Sequence, residues 1–115
     1  MGWLIRFFAS LRTWWRLRRR RRAFTGVVCI DSGVDPAKDL AAWRLVLVGP
    51  EGKPKWLRLQ CPCRCGQVVA LNLMTSHRPR WEVQQADGAI TVHPSVDSRS
   101  CGAHFWIREN RISWV

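Results

Sequence analysis

The spacing of the cysteines constrains the fold of this chain more than any other sequence feature. Three cysteines alternate with other residues in Cys61-Pro62-Cys63-Arg64-Cys65, and a second motif, Cys101-Gly102-Ala103-His104, follows much later in the chain. Zinc prefers four thiolate or imidazole ligands arranged as a tetrahedron. Two short motifs in separate loops can supply such a set. The spacing therefore predicts one metal ion that joins two distant parts of the chain.

Five side chains compete for the four positions around such an ion. The preferred ligand set is Cys63, Cys65, Cys101 and His104, and the competing set has Cys61 in place of Cys63. A single Zn²⁺ is expected, because five ligands cannot close two tetrahedral sites. The two loops also look like those of Rieske-type domains, but a Rieske centre needs two histidines on one iron. The sequence therefore favours zinc over an iron–sulfur cluster.

Apolar runs and turn residues predict a β fold for most of the chain. Its 115 residues are enough for one domain. Six or seven short apolar segments are separated by turn signals, among them residues 49–52 and 87–88, whereas residues 94–100 are predicted to form a loop. The predicted fold class is mainly β. It is a small antiparallel sheet or open barrel, Rieske-like or zinc-ribbon-like, with the two metal-binding loops at strand ends.

The positive charge is concentrated in an N-terminal arm. The formal net charge is +11, and residues 1–24 contain many arginines and no acidic residue. Apolar residues recur there at helical spacing opposite Arg6, Arg12 and Arg16, which predicts a basic amphipathic helix. We therefore divide the chain into an arm, residues 1–24, and a zinc-binding β domain, residues 25–115. The arm suits nucleic acid, an anionic membrane surface or a protein partner, and a solvated tail is the alternative.

The cysteines also bear on the cellular compartment. The chain has five cysteines, an odd number, of which four lie in the two motifs with His104, and no secretory signal is recognisable. These features favour a metal site in a reducing compartment over a framework of disulfides. The sequence therefore predicts a cytoplasmic location, with peripheral attachment to a membrane through the arm as an alternative.

The segment from Trp43 onward resembles a small bacterial zinc-binding family of unknown function. The matching features are Cys61-Pro62-Cys63-Arg64-Cys65-Gly66, a strand that begins with Trp81, Thr91-Val92-His93-Pro94-Ser95, and Cys101-Gly102-Ala103-His104-Phe105-Trp106-Ile107. Members of that family are often encoded beside genes for ubiquitin-like conjugation. The resemblance implies an accessory role in protein tagging or phage defence, with a conjugating enzyme or a ubiquitin-like protein as the partner.

Three functions compete at this level. Four soft ligands leave no open position on the metal, which is typical of a structural zinc site. The main interpretation is therefore a zinc-binding adaptor that binds protein partners and is not an enzyme. The first alternative is a hydrolase that removes tags, with Ser95 as the nucleophile, His93 as its base and Asp97 as the third group. The second is binding of nucleic acid or a membrane surface through the arm.

Overall fold

Two four-stranded sheets make up most of the protein. The structure is a computed structural model and describes residues 20–33 and 35–115. The first sheet contains, in spatial order, β1 (Gly26–Ile30), β2 (Arg44–Val48), β3 (Trp56–Gln60) and β4 (Val68–Asn72). The second contains β5 (Glu82–Ala86), β6 (Ala89–Ser98), β7 (Ala103–Arg108) and β8 (Arg111–Trp114). A short helix α1 (Pro36–Asp39) and a 3-10 turn (Ala41–Trp43) connect β1 to β2. The prediction of a mainly β fold is confirmed.

Alternating side chains join the two sheets through one core. In β3 the buried residues are Leu57 and Leu59, and in β7 they are Ala103, Phe105 and Ile107. These residues belong to one buried cluster with members from both sheets, so the sheets pack face to face. Each buried Leu, Ile or Phe side chain contributes about 1.5–3 kcal/mol of transfer free energy. The intervening residues of β7 consequently face away from the core.

One strand pair departs from the antiparallel prediction. β1 pairs with β2 in parallel, from Gly26 opposite Arg44 to Ile30 opposite Val48. The other strand pairs within the two sheets are antiparallel. Two parallel neighbours need a crossover connection of a dozen or more residues. The segment with α1 and the 3-10 turn provides that connection, whereas short turns suffice for the antiparallel pairs.

β6 is longer than predicted and contains a β-bulge. Residues 94–100 were expected to form a loop, but β6 continues through Pro94 to Ser98. Val92 pairs with Ile107 and Val96 with Phe105, so three residues of β6 lie opposite the single residue Trp106. A proline has no N–H to donate to a ladder, which makes it a loop signal in sequence, but a bulge tolerates it. The loop prediction was wrong for this reason.

The last residues assigned to the arm contact the domain. Phe24 is buried, Ala23 forms an isolated bridge with Arg111, and the indole N–H of Trp114 donates to the carbonyl of Arg21 at 3.1 Å. The predicted amphipathic helix lies outside the described residues, and binding of nucleic acid or a membrane through the arm stays a prediction. Within 20–33 and 35–115, no helix has the length and apolarity to cross a bilayer.

The turn between β2 and β3 offers a test of the fold. A Cβ on Gly49, where φ is 137°, would lie 2.8 Å from the backbone nitrogen of Lys55, which donates to the carbonyl of Val48. Gly49→Ala is expected to lower the free energy of unfolding by about 3 kcal/mol, from backbone strain and displacement of this bond. Gly52 also has a positive φ, but a Cβ there meets open space. Gly52→Ala, the matched control, should cost about 1 kcal/mol. Equal losses for the two variants in urea denaturation would contradict this account.

Candidate active site and metal centre

Four cysteines meet where two loops approach each other. Cys61, Cys63 and Cys65 follow β3, and Cys101 lies in the turn between β6 and β7. Their four sulfur atoms all lie within 4.8 Å of one another. The Sγ of Cys61 is 3.3 Å from that of Cys63 and 3.6 Å from that of Cys101, and the Sγ atoms of Cys63 and Cys101 are 3.7 Å apart. The predicted approach of the two cysteine motifs is confirmed.

These distances are those of a ligand set for a metal ion and not of a disulfide. A disulfide has its sulfurs about 2.05 Å apart, and the four cysteines are free thiols. A tetrahedral ion with metal–sulfur bonds of about 2.3 Å holds neighbouring sulfurs about 3.8 Å apart. The three separations among Cys61, Cys63 and Cys101 are slightly shorter than that value, and all four sulfurs lie within 4.8 Å of one another, so the cluster could close around one ion with small side-chain movements.

The thiols of the cluster differ in acidity. Burial raises the pKa of Cys61 and of Cys63. Burial also acts to raise the pKa of Cys101, but hydrogen bonds with the Ser98 side chain and the Ala103 backbone outweigh it and lower this pKa to about 7. Cys101 is therefore the most easily ionised of these three thiols, and a bound cation would favour the thiolate form of them all.

Hydrogen bonds within and between the two cysteine loops help to position them. The backbone N–H of Cys61 donates to the carbonyl of Gln67 at 2.9 Å, and that of Gly102 donates to the carbonyl of Ser98 at 2.8 Å. The hydroxyl of Ser100 also donates to the side-chain oxygen of Gln67. The last of these contacts links one loop to the other, so the cysteines are brought together by the fold itself.

His104 is not a member of the cysteine group. Its Nε2 atom lies 2.9 Å from the Oγ of Ser95. The buried positions on either side of it, Ala103 and Phe105, direct His104 to the outer face of the second sheet, which is also where Ser95 lies. Cys61, which is fully buried, completes the group instead. The structure thus groups Cys61 with Cys63, Cys65 and Cys101, whereas the predicted ligand set of Cys63, Cys65, Cys101 and His104 stays a prediction.

On the outer face of β6 and β7, the hydroxyl of Ser95 and the imidazole of His104 are in contact. A nucleophile is activated when a general base lies within about 2.6–3.2 Å of it, and the Ser95–His104 distance falls in this range. The indole N–H of Trp81 donates to the carbonyl of Ser95 at 3.3 Å and so helps to position the backbone of this serine. Asp97 lies directly opposite His104 in the ladder between β6 and β7.

His93 does not occupy the position expected of a base. Its ring lies edge-on to Trp106, with the ring centroids 6.2 Å apart, whereas Ser95 pairs with His104. Sequence reasoning placed His104 on the metal and therefore did not consider its contact with Ser95. The alternation of apolar residues at 103, 105 and 107 was the available signal, because it puts residue 104 on the face opposite the core.

The comparisons with known proteins decide between the adaptor and the hydrolase. A family model described as "Bacterial ubiquitination-like system serine protease (BubE)" matches residues 33–115. No curated protein and no solved structure matches the chain. The expected link to bacterial ubiquitin-like systems is confirmed, while the likeness to Rieske-type loops stays a prediction. The main interpretation, a zinc adaptor without enzymatic activity, was wrong, because the family is one of serine proteases and the structure pairs a serine with a histidine. Since the match covers more than half of the chain, the protein belongs to the BubE family of serine proteases of bacterial ubiquitination-like systems.

Proposed function

We propose that this protein is a serine hydrolase that cleaves peptide or isopeptide bonds made by a ubiquitin-like protein, with Ser95 as the nucleophile and His104 as the general base. The observation that carries the proposal is the 2.9 Å contact between Ser95 Oγ and His104 Nε2. The family description supports the reaction class. The substrate is a protein of the same conjugation system, which agrees with the protein partner expected from the sequence.

The two side chains suffice for the proton transfers of such a reaction. His104 Nε2 removes the proton from Ser95 Oγ as this oxygen bonds to the scissile carbonyl carbon. The imidazolium then gives that proton to the leaving amine as the carbon–nitrogen bond breaks, which leaves an ester on Ser95. Water attacks the ester while His104 takes its proton. His104 returns this proton to Oγ as the acid product leaves.

Labelling with a fluorophosphonate probe tests the nucleophile directly. The Oγ of an activated serine bonds to the phosphorus of this probe and displaces fluoride. The unmodified protein is expected to be labelled, Ser95→Ala is expected to abolish labelling, and His104→Gln should slow it by about 10²–10⁴-fold through loss of general-base catalysis. The measurement is the rate of labelling, followed by intact-mass spectrometry.

Ser113→Ala provides the matched control, because Ser113 lies on the neighbouring strand β8 opposite Trp106. This variant should be labelled at the unmodified rate. The same variants should be compared for cleavage of a linear fusion behind a ubiquitin-like protein of such a system. Undiminished labelling of Ser95→Ala, or cleavage of the fusion by that variant, would overturn the proposal.

Asp97 is the candidate to orient the imidazole of His104. The two residues are a direct cross-strand pair, and the Cβ atoms of such a pair lie about 4.5–5.5 Å apart on the same face of the sheet. A carboxylate on the far side of the ring fixes the tautomer that leaves Nε2 free to accept a proton, and it stabilises the imidazolium that forms. We assign Asp97 this positioning role.

Asp97→Asn should lower kcat for cleavage of the fusion by about 10–10⁴-fold with little change in KM, because the amide cannot stabilise the imidazolium. The melting temperature should stay near that of the unmodified protein, since Asp97 is exposed. Asp87→Asn, at the exposed tip of the hairpin between β5 and β6, is the control and should keep the full rate. Equal kcat values for the two variants would remove Asp97 from the mechanism.

We infer that the cysteine cluster holds one Zn²⁺ through Cys61, Cys63, Cys65 and Cys101. The compact spacing of the sulfurs supports a single ion. Zinc accepts four thiolates in a closed tetrahedron, which leaves no position for a catalytic water. The ion would therefore stabilise the fold while the Ser95–His104 pair carries the reaction. The ion would lie at the turn between β6 and β7, close in sequence to His104.

Metal content distinguishes the two ligand sets. Cys61→Ser is expected to reduce the zinc content of the purified protein well below one ion per chain and to weaken the thiolate-to-metal absorption of the Co²⁺-substituted form. His104→Gln should keep both signals, because its imidazole contacts Ser95. Cys29→Ser, at an exposed cysteine in β1, is the control. Loss of metal from His104→Gln together with its retention in Cys61→Ser would restore the set predicted from sequence.

A further inference from the structure

A cleft of about 750 Å³ opens beside β5 and extends to the β2–β3 turn and the segment that follows β4. Three consecutive residues of β5, Glu82, Val83 and Gln84, line it. Successive side chains of a strand point to opposite faces, so three in a row can line one cleft only along the edge of the strand. β5 lies at the end of the second sheet, where β6 is its neighbour. Among the described strands only β6 pairs with β5, so the cleft runs along the edge of β5 that these strands leave open.

The wall opposite this edge is positively charged. Lys53 and Lys55 line the cleft together with Arg80 and Glu82. Arg80 and Glu82 form an ion pair at 2.5 Å. The two lysines are exposed, and neither forms an ion pair with a carboxylate in the part of the chain that the structure describes. This wall favours an occupant that carries negative charge.

One end of the cleft lies close to the nucleophile. Trp81 lines the cleft, and its indole N–H donates to the carbonyl of Ser95. Glu82, at the start of β5, pairs with His93 of β6. A strand added to β5 would lie two strand spacings, about 10 Å, from β6. An extended chain covers about 3.3–3.6 Å per residue, so roughly three residues would connect the cleft to Ser95.

We propose that the cleft binds an extended acidic segment of the protein substrate as an additional strand on β5, roughly three residues from the bond cleaved at Ser95. Backbone hydrogen bonds to the edge of β5 hold the segment, and carboxylates on it face Lys53 and Lys55. The link to cleavage rests on the hydrolase function proposed above. The binding of the segment does not, and it can be measured without turnover.

Fluorescence anisotropy with the full-length Ser95→Ala variant tests the charge of the occupant. The probe is a fluorescein-labelled decapeptide of alternating Glu and Val, and the comparison peptide has Lys in place of Glu. The Glu peptide should bind more tightly. Adding Lys53→Glu and Lys55→Glu should weaken its binding by about tenfold or more, because like charges then face each other.

The matched control combines Lys38→Glu and Arg44→Glu. It changes the net charge by the same amount at two exposed residues that do not line the cleft, and it should bind the Glu peptide as the unmodified surface does. Equal weakening by the two double variants would show that overall charge alone attracts the peptide. That result would overturn the proposal.

N-methylation of the peptide tests the pairing with β5. Every second N–H of an added strand points toward its neighbour. Methyl groups on one alternate set of peptide nitrogens should therefore weaken binding by about tenfold, while methyl groups on the other set should change it little. Equal effects of the two sets would contradict strand addition, and so would no effect of either.

The two proposals can fail separately. Fluorophosphonate labelling of the unmodified protein tests the nucleophile, and anisotropy with Ser95→Ala tests the cleft. Normal labelling together with a peptide that binds no better than its Lys counterpart would overturn the cleft proposal alone. Absent labelling together with charge-selective, register-dependent binding would overturn the hydrolase and leave a peptide-binding cleft.

Discussion

The pairing of β6 with β7 is the constraint on which the chemistry of this protein depends. The ladder resumes after the bulge with Val96 opposite Phe105, and both side chains are buried in the core shared by the two sheets. Slipping this register by one residue would turn the apolar set toward solvent, so burial holds it in place. The same register puts Asp97 opposite His104 and Ser95 within hydrogen-bond distance of the imidazole. The core packing of two strands therefore sets the geometry of an exposed pair of side chains.

The turn that joins these strands connects the candidate active site to the cysteine cluster. Cys101 lies in this turn, its sulfur is 3.4 Å from the hydroxyl of Ser98 at the end of β6, and β7 follows with His104. The two centres stay separate because the chain directs their side chains apart: the sulfurs converge on a buried Cys61, and the imidazole emerges on the outer face. The separation of the two centres favours a metal that stabilises the hairpin of β6 and β7 and takes no part in the reaction. Four thiolate ligands would leave no open coordination position on such a metal.

Much of the architecture was predictable from local patterns, whereas the partner of each site residue was not. Apolar alternation and turn residues predicted most strands, and the spacing of the cysteines predicted that their loops meet. The contact between Ser95 and His104 was not predicted, because residues close in sequence, such as His93 and Ser95, need not be in contact on a bulged strand. His104 is distant from Ser95 in sequence but adjacent across the ladder. Pro94 hid the continuation of β6, since a proline within a strand is compatible only with an edge or a bulge, and nothing local distinguishes that bulge from a loop.

The open edge of β5 lies close to Ser95, the proposed nucleophile, and its exposure requires an explanation. Unpaired edges invite association with other chains, and proteins usually protect them with charge, short strands or a covering segment. β5 is short and mostly exposed, and it buries none of its residues completely. Val83 packs against the core, and pairing with β6 is the other main restraint on β5. An edge with few apolar side chains and a lysine-lined wall opposes self-association, yet it accepts a polar chain of opposite charge. A protease that must hold an extended protein segment beside Ser95 would benefit from keeping this edge free of a permanent partner.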